Sequence, residues 1–114
     1  MMHLRTLALL AAVAVALPSA VWSQAVDYAN RSGTITTGGV AQVLMPAWPG
    51  RHGCLMQNLS AGDLWVSEVG TAAATQPSIK VAAGAQYLCM VPASGQAMSV
   101  FGATTAQAFA AREW

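Results

Sequence analysis

Charged side chains are scarce in this chain. Lys and Arg together number 5 and Asp and Glu number 4 among 114 residues, so the formal net charge is +1. Nucleic-acid binding needs a basic surface, and this balance does not supply one. Disorder is also excluded, because disordered chains combine high charge with little apolar content, whereas 55% of this chain is hydrophobic.

No apolar run in the sequence is long enough to be a typical membrane span. The clearest run, residues 7–17, has 11 residues, whereas a spanning helix needs roughly 20. Because Arg5 precedes this run and small residues follow it, the pattern predicts a secretory signal peptide over residues 1–25. Cleavage is expected after Ala25, with cleavage after Ala20 and an uncleaved anchor as the alternatives.

We expect three parts: a helical signal peptide at residues 1–25, a flexible and unpaired arm at residues 26–32, and a single β-sandwich domain at residues 33–114. We expect the exported part to be periplasmic or secreted, with no membrane span once the leader is removed. Its basic and acidic residues balance, so its formal charge is zero. Any ligand must therefore be held by local contacts, because a neutral surface does not attract one from a distance.

Cysteine occurs only twice, at Cys54 and Cys89. Disulfides persist in exported proteins, so we expect these residues to form one bridge. A metal site that adds His52 is the alternative, but zinc needs four ligands, usually in closely spaced pairs, and the chain lacks them. We therefore expect no metal and no cofactor.

A helical period is missing after residue 25, where apolar residues recur at every second position. Turn residues interrupt this pattern about every ten residues, which predicts an all-β fold. We expect a small antiparallel β-sandwich or jelly-roll-like barrel of about 7 to 8 short strands. A terminal helix at 103–112 is the alternative to the last strand, because alanine is abundant there. The expected strands are residues 40–45, 54–59, 64–69, 78–81, 86–91, 98–101 and 107–111, with 34–37 as an eighth.

The same alternation predicts which side chains face the core. We expect an inward set of Leu64, Val66, Ile79, Val81, Tyr87, Cys89, Val91, Met98 and Val100. We expect an outward set of Trp65, Ser67, Lys80, Gln86 and Ser99. The disulfide would then lie in or near the core.

The exported part offers little for catalysis. His52 is its only histidine and lies in a loop, where a surface position is more common than a catalytic one. No Gly-x-Ser-x-Gly turn presents a serine nucleophile. We therefore predict that the protein is not an enzyme and has no catalytic residues.

Tryptophan is the better indication of a functional surface. Trp48 lies between two prolines in a loop, and Trp65 alternates onto the face opposite the core. Exposed Trp often marks sugar stacking or protein contact, so we predict a candidate binding surface made of Trp48, Trp65, Arg51 and His52. The alternative is that Trp65 only covers its own sheet.

One part of the sequence has a distinctive order. An Arg-containing turn leads to an apolar strand that ends in Gln57-Asn58, and small residues and Leu64-Trp65-Val66 follow. A Gly70-Thr71-Ala72-Ala73 turn and the tail from Gly102 to Trp114 continue it. This order resembles small β-rich proteins encoded among the structural genes of tailed phages and prophages. The resemblance implies a non-enzymatic, self-associating component of a virion or host surface.

We therefore expect an exported, non-enzymatic β-sandwich with a structural or binding role, such as a domesticated, phage decoration-like protein. Its expected partners are another protein or further copies of itself, with glycans as the other class and nucleic acids excluded. The alternative function is a secreted or periplasmic carbohydrate-binding module that uses the exposed Trp residues.

Overall fold

Two antiparallel sheets pack against one another in the computed structural model, which describes residues 27–89 and 93–114. The predicted all-β fold is confirmed, and none of the described residues lies in a helix. The expected signal peptide helix, its cleavage site and Val91 lie outside these residues.

Nine strands form within the described residues. They are β1 (Ala29–Asn30), β2 (Gly33–Thr34), β3 (Gln42–Met45), β4 (Cys54–Asn58), β5 (Leu64–Ser67), β6 (Ile79–Val81), β7 (Gln86–Leu88), β8 (Met98–Gly102) and β9 (Ala108–Glu113). The first sheet has the order β1-β9-β4-β7, and β2 also pairs with β9. The second sheet has the order β3-β8-β5-β6.

The core lies between the two sheets and follows the predicted alternation. Every second side chain of β4, β5 and β8 is buried, as the pleat of a strand requires. The described core contains Ile35, Leu44, Met45, Cys54, Met56, Leu64, Val66, Val81, Cys89, Met98, Val100, Phe109 and Ala111. Tyr87 packs against this set from the side of β7.

Two side chains face differently from the prediction. Ser67, expected outside, is only 2% exposed, because residues 68–78 fold over this part of the sheet. The N–H of Ala72 anchors that segment by donating to Ser99 Oγ at 2.9 Å. Ile79, expected inside, is 53% exposed, because it begins the edge strand β6 and nothing in the described residues covers it there.

The segment before β3 also differs from the prediction. Residues 29 and 30 pair with β9, so the expectation of an unpaired arm at residues 26–32 is wrong for them. Two-residue strands carry too little alternation to be recognised in a sequence. The strand expected at 34–37 ends at Thr34, because the chain turns through Gly38 and Gly39. The terminal segment is strand β9 and not the alternative helix.

Cys54 and Cys89 form the predicted disulfide, with their Cα atoms 5.0 Å apart. The bridge joins β4 to the residue that follows β7, and both cysteines are buried. Met98, from the second sheet, packs on it with its Sδ 3.6 Å from Cys54 Sγ and 3.7 Å from Cys89 Sγ. A buried disulfide indicates an oxidising setting, either extracellular or periplasmic.

Replacing both cysteines with alanine should lower the free energy of unfolding by about 3 to 4 kcal/mol, because the bridge constrains the unfolded chain between residues 35 positions apart. Denaturant unfolding measures this loss. Reductant should destabilise the unaltered protein by a similar amount and leave the double variant unchanged. Identical unfolding midpoints for the oxidised protein and the variant would contradict a stabilising bridge.

Candidate functional site

Trp48 and Trp65, predicted to share a binding surface, lie in different parts of the sandwich. Trp48 follows β3, and its backbone N–H donates to Gly95 O at 2.9 Å. Trp48 therefore lies beyond the end of the second sheet at which β8 begins. Trp65 lies in β5 beside Phe101, near the other end of β8. Both side chains are partly buried. The structure therefore does not bring the two indoles together.

Arg51 is not a surface residue, which corrects the prediction. It is only 4% exposed. His52, the next residue, is exposed, and its backbone N–H donates to the backbone oxygen of Trp114. The adjacent Gly53 packs so closely on Trp114 that a Cβ there would lie 2.6 Å from the indole Cζ2. The loop is held against the end of β9, with Arg51 pointing inward.

Arg51 forms a buried ion pair with Glu113. Its Nε lies 2.7 Å from Glu113 Oε2, and both side chains are 0% exposed. Its other nitrogens donate to backbone oxygens: Nη1 to Ser94 O at 2.6 Å and Gln96 O at 2.8 Å, and Nη2 to Pro46 O at 2.8 Å. Arg51 is therefore committed to the structure and is not available to a ligand.

Arg31 binds the other oxygen of Glu113. Its Nη2 lies 2.9 Å and its Nε 3.0 Å from Glu113 Oε1, and its side chain is 34% exposed. A carboxylate with no exposure to water costs several kcal/mol unless it is paired and hydrogen-bonded. Two guanidinium groups meet that requirement here. Within the described residues, every buried polar side-chain atom has a partner.

The sequence contained a signal for this cluster that the prediction did not use. Phe109 and Ala111 are buried residues of β9, so the two-residue repeat places Glu113 on the same inner face. An acidic residue at an inward position requires a cation. The sequence does not show which cation this is, because Arg51 lies 62 positions before Glu113 and reaches it only in the folded chain.

A second buried polar residue, Asn58, holds the opposite end of β4. Its Nδ2 donates to Gly62 O at 2.7 Å and to Val81 O at 2.8 Å, while its Oδ1 accepts hydrogen bonds from Ser60. Asn58 is 0% exposed. Its amide is fully used in fixing neighbouring turns, so it has a structural role.

Tyr87 closes the side of the sandwich at β7. Its hydroxyl donates to Glu68 Oε2, which lies just after β5 in the other sheet. Burial, and then the hydrogen bond and charge of Glu68, raise the pKa of Tyr87 well above its ordinary value. The phenol is therefore a neutral donor at physiological pH and links the two sheets.

An open groove of about 510 Å³ crosses the outer face of the first sheet. Its floor contains the small Ala110, which lies beside Gln57 in the β4–β9 register. Tyr28 stands at one side, with Arg112 Cζ 5.4 Å and the Trp114 ring centre 5.3 Å from its own ring centre. The lining residues are Tyr28, Asn30, Ser32, Leu55, Gln57, Gln86, Ala110, Ala111 and Arg112. This groove is the candidate site, and the tryptophan pattern did not indicate it.

The described residues contain no group of three His, Cys, Asp or Glu side chains placed to bind a metal ion. None of their segments is a helix of the length and apolarity needed to cross a membrane. Comparison with protein-family models, curated proteins and solved structures finds no match to this chain.

Glu113→Gln should lower the free energy of unfolding by about 3 to 5 kcal/mol, because it leaves the buried Arg51 guanidinium without its counter-charge. Asp63→Asn is the matched control. Asp63 lies 4.0 Å from Lys80 in an exposed pair, so its loss should cost no more than about 1 kcal/mol. Urea unfolding of both variants measures the difference, and equal losses would contradict a structural role for the buried cluster.

Proposed function

We propose that this protein is an exported, non-enzymatic β-sandwich that acts as a structural module by pairing with further copies of itself. The observation that carries this proposal is the free edge of β7, the last strand of the first sheet, on whose outer side no strand of the described residues pairs. A strand edge presents N–H and C=O groups that another chain can bind. The oxidising setting indicated by the disulfide supports export.

The hydrogen-bond pattern identifies which groups of β7 are free. Cys89 N–H donates to Cys54 O, and Asn58 N–H donates to Ala85 O. Pairs that exchange hydrogen bonds alternate along an antiparallel ladder, so Tyr87 also faces β4. The backbone groups of Gln86 and Leu88 therefore face outward, where the described residues provide no neighbouring strand.

The other three edges carry features that oppose pairing. Strand β6 has the exposed Lys80 at its centre. Strand β3 has a register shift between Val43 and Met45, and Pro46 follows it. The edge made by β1 and β2 is interrupted at residues 31–32, where Ser32 Oγ accepts the N–H of Ala111 in place of a backbone oxygen. Charges, prolines and bulges are the usual protection of edge strands, and β7 has none of them.

A second copy fits the β7 edge through a two-fold axis at Tyr87. Gln86 of one copy would lie opposite Leu88 of the other, which gives about four hydrogen bonds between the backbones. Leu88 is 62% exposed, so the contact would also cover apolar surface. Because β7 has only 3 residues, we expect the association to be weak and to depend on protein concentration.

The resemblance to phage structural proteins stays a prediction, and it agrees with a self-associating role. The tryptophan-based carbohydrate module receives no support from the positions of Trp48 and Trp65, which lie apart. An enzymatic role receives none either, because His52 lies on the surface with its backbone N–H bound to Trp114.

Leu88→Lys should abolish self-association, because a charge on the free edge must be desolvated when another strand pairs with it. Val43→Lys is the matched control, since Val43 is 65% exposed on another edge strand, and it should leave association intact. Sedimentation of the oxidised, exported protein over a range of concentrations measures both. A monomer at every concentration, or equal loss in the two variants, would overturn the proposal.

Export is tested on the same protein. The exported form should have the mass of residues 26–114 with a closed disulfide, because cleavage is expected after Ala25. Intact mass before and after alkylation measures both features. Recovery of the whole chain with reactive thiols from the cell interior would contradict export.

A further inference from the structure

The groove on the first sheet contains a cation, Arg112, that has no acidic partner among the described residues. Three of the four basic residues in the described ranges lie within ion-pair distance of a carboxylate, and Arg112 is the one that does not. Arg112 is exposed on the outer face of β9. In a chain with so few charges, a guanidinium in a groove is a local feature that a ligand can recognise.

The position of Arg112 leaves its N–H groups accessible. Its Cζ lies 5.4 Å from the centre of the Tyr28 ring, the arrangement of a cation–π contact. Arg112 is exposed and makes no ion pair with another described residue, so the N–H groups around the rim of its guanidinium are open to a ligand. Trp114 supports Tyr28 in turn, with the ring centres 5.3 Å apart. The guanidinium of Arg112 is therefore positioned to bind a carboxylate through two parallel hydrogen bonds.

The other described residues of the lining supply groups that can bind hydroxyls, and none of them is acidic. Asn30 uses its Oδ1 to accept from Ser32 N–H, which leaves its amide NH₂ as a donor. Gln57 donates to Gly84 O, which leaves its Oε1 as an acceptor. Gln86 lies opposite Gln57 on β7 and adds both kinds of group.

The floor of the groove is small and apolar. Leu55 lies opposite Arg112 and Ala110 lies opposite Gln57, on the face where β9 and β4 pair, while Asn30 lies opposite Arg112 on the other side of β9. A sugar ring has an apolar C–H face and a rim of hydroxyls, so a floor of this kind with amides around it suits a saccharide. The carboxylate that Arg112 favours belongs to a sugar acid.

A peptide fits the groove less well than a glycan. Extended peptides bind sheets mainly through main-chain hydrogen bonds at an edge. Here β4 and β9 each have a neighbouring strand on both sides, so their backbones are already paired. Recognition in the groove must come from side chains alone. A single guanidinium is also too little for a nucleic acid, which needs several phosphate contacts.

We propose that this groove binds glycans that contain uronic acid, with Arg112 holding the carboxylate and Asn30, Gln57 and Gln86 holding hydroxyls. The site uses side chains on the outer face, with only Gln86 from β7, whereas self-association uses the backbone groups of β7, so the site does not depend on self-association. Pairing at β7 extends the sheet in its own plane and leaves the outer face open. Glycan binding measured at protein concentrations where sedimentation shows only the monomer tests the groove by itself, so the two proposals fail or succeed independently.

Calorimetric titration of the oxidised, exported protein with short oligomers of galacturonate, glucuronate and mannuronate tests the site. At least one of them should bind, and its affinity should fall as salt is added, because an exposed ion pair is screened. Neutral oligomers of glucose and galactose should bind at least about tenfold more weakly, since they lack the charge-assisted pair. Free acetate, a carboxylate without a sugar, and oligoglutamate, an acidic peptide, are titrated for comparison.

Arg112→Gln should weaken binding of the acidic oligomer by about tenfold or more, while Arg112→Lys should keep part of it, because lysine retains the charge and loses the planar rim. Lys80→Gln is the matched control, an exposed cation on the other sheet, and it should change nothing. Gln57→Ala should weaken the binding of acidic oligomers, but the protein should still bind them more tightly than neutral ones. Thermal unfolding should be unchanged in all four variants.

Several results would overturn the proposal. They are no binding by any uronate oligomer, equal binding of acidic and neutral sugars, and Arg112→Gln binding as tightly as the unaltered protein. Oligoglutamate binding as tightly as the best uronate would show that the groove takes acidic peptides instead. Acetate binding with the same affinity would show a carboxylate contact without a saccharide site.

Discussion

The carboxylate of Glu113 is the interaction on which one whole end of the sandwich depends. It lies in the last residue of β9, opposite Cys54 in the register, and has no contact with water. Arg31, which lies between β1 and β2, and Arg51, which lies in the loop after β3, both form ion pairs with this carboxylate. Arg51 in turn binds carbonyl oxygens of residues 94 and 96. A buried charge network is favourable only when complete, so these segments take their places together.

The disulfide lies next to the ion cluster of Glu113, Arg31 and Arg51, and the two stabilise the fold in different ways. The bridge acts mainly on the unfolded chain, because it limits how far β4 and the end of β7 can separate. The cluster acts on the folded chain, because its charges are tolerated only in one arrangement. A chain of this size buries a modest core, so both contributions matter. Together they explain why the loops at this end are held in place without regular structure.

Local alternation was enough to predict the longer strands and about half of the core, because both depend on a two-residue repeat that the sequence displays directly. The disulfide was predicted from the two cysteines of a chain expected to be exported. Leu64 and Val66 are buried as predicted. Prediction failed where a distant segment decides the outcome. Ser67 is covered by a loop, and Arg51 is drawn inward by Glu113 across 62 positions. The groove was missed for the same reason, since Tyr28 meets Arg112 only after β1 pairs with β9.

The free edge and the groove are related by geometry, although neither depends on the other. Antiparallel pairing of two β7 strands places the two-fold axis perpendicular to the sheet, so both outer faces point the same way. Each copy would then present its Arg112 and amides on one continuous surface. A glycan chain that spans both grooves would bind more tightly than either groove allows, because the second contact becomes intramolecular. Weak pairing at a three-residue edge and weak binding in a single groove would thus strengthen one another, since a ligand that bridges two copies also favours their association.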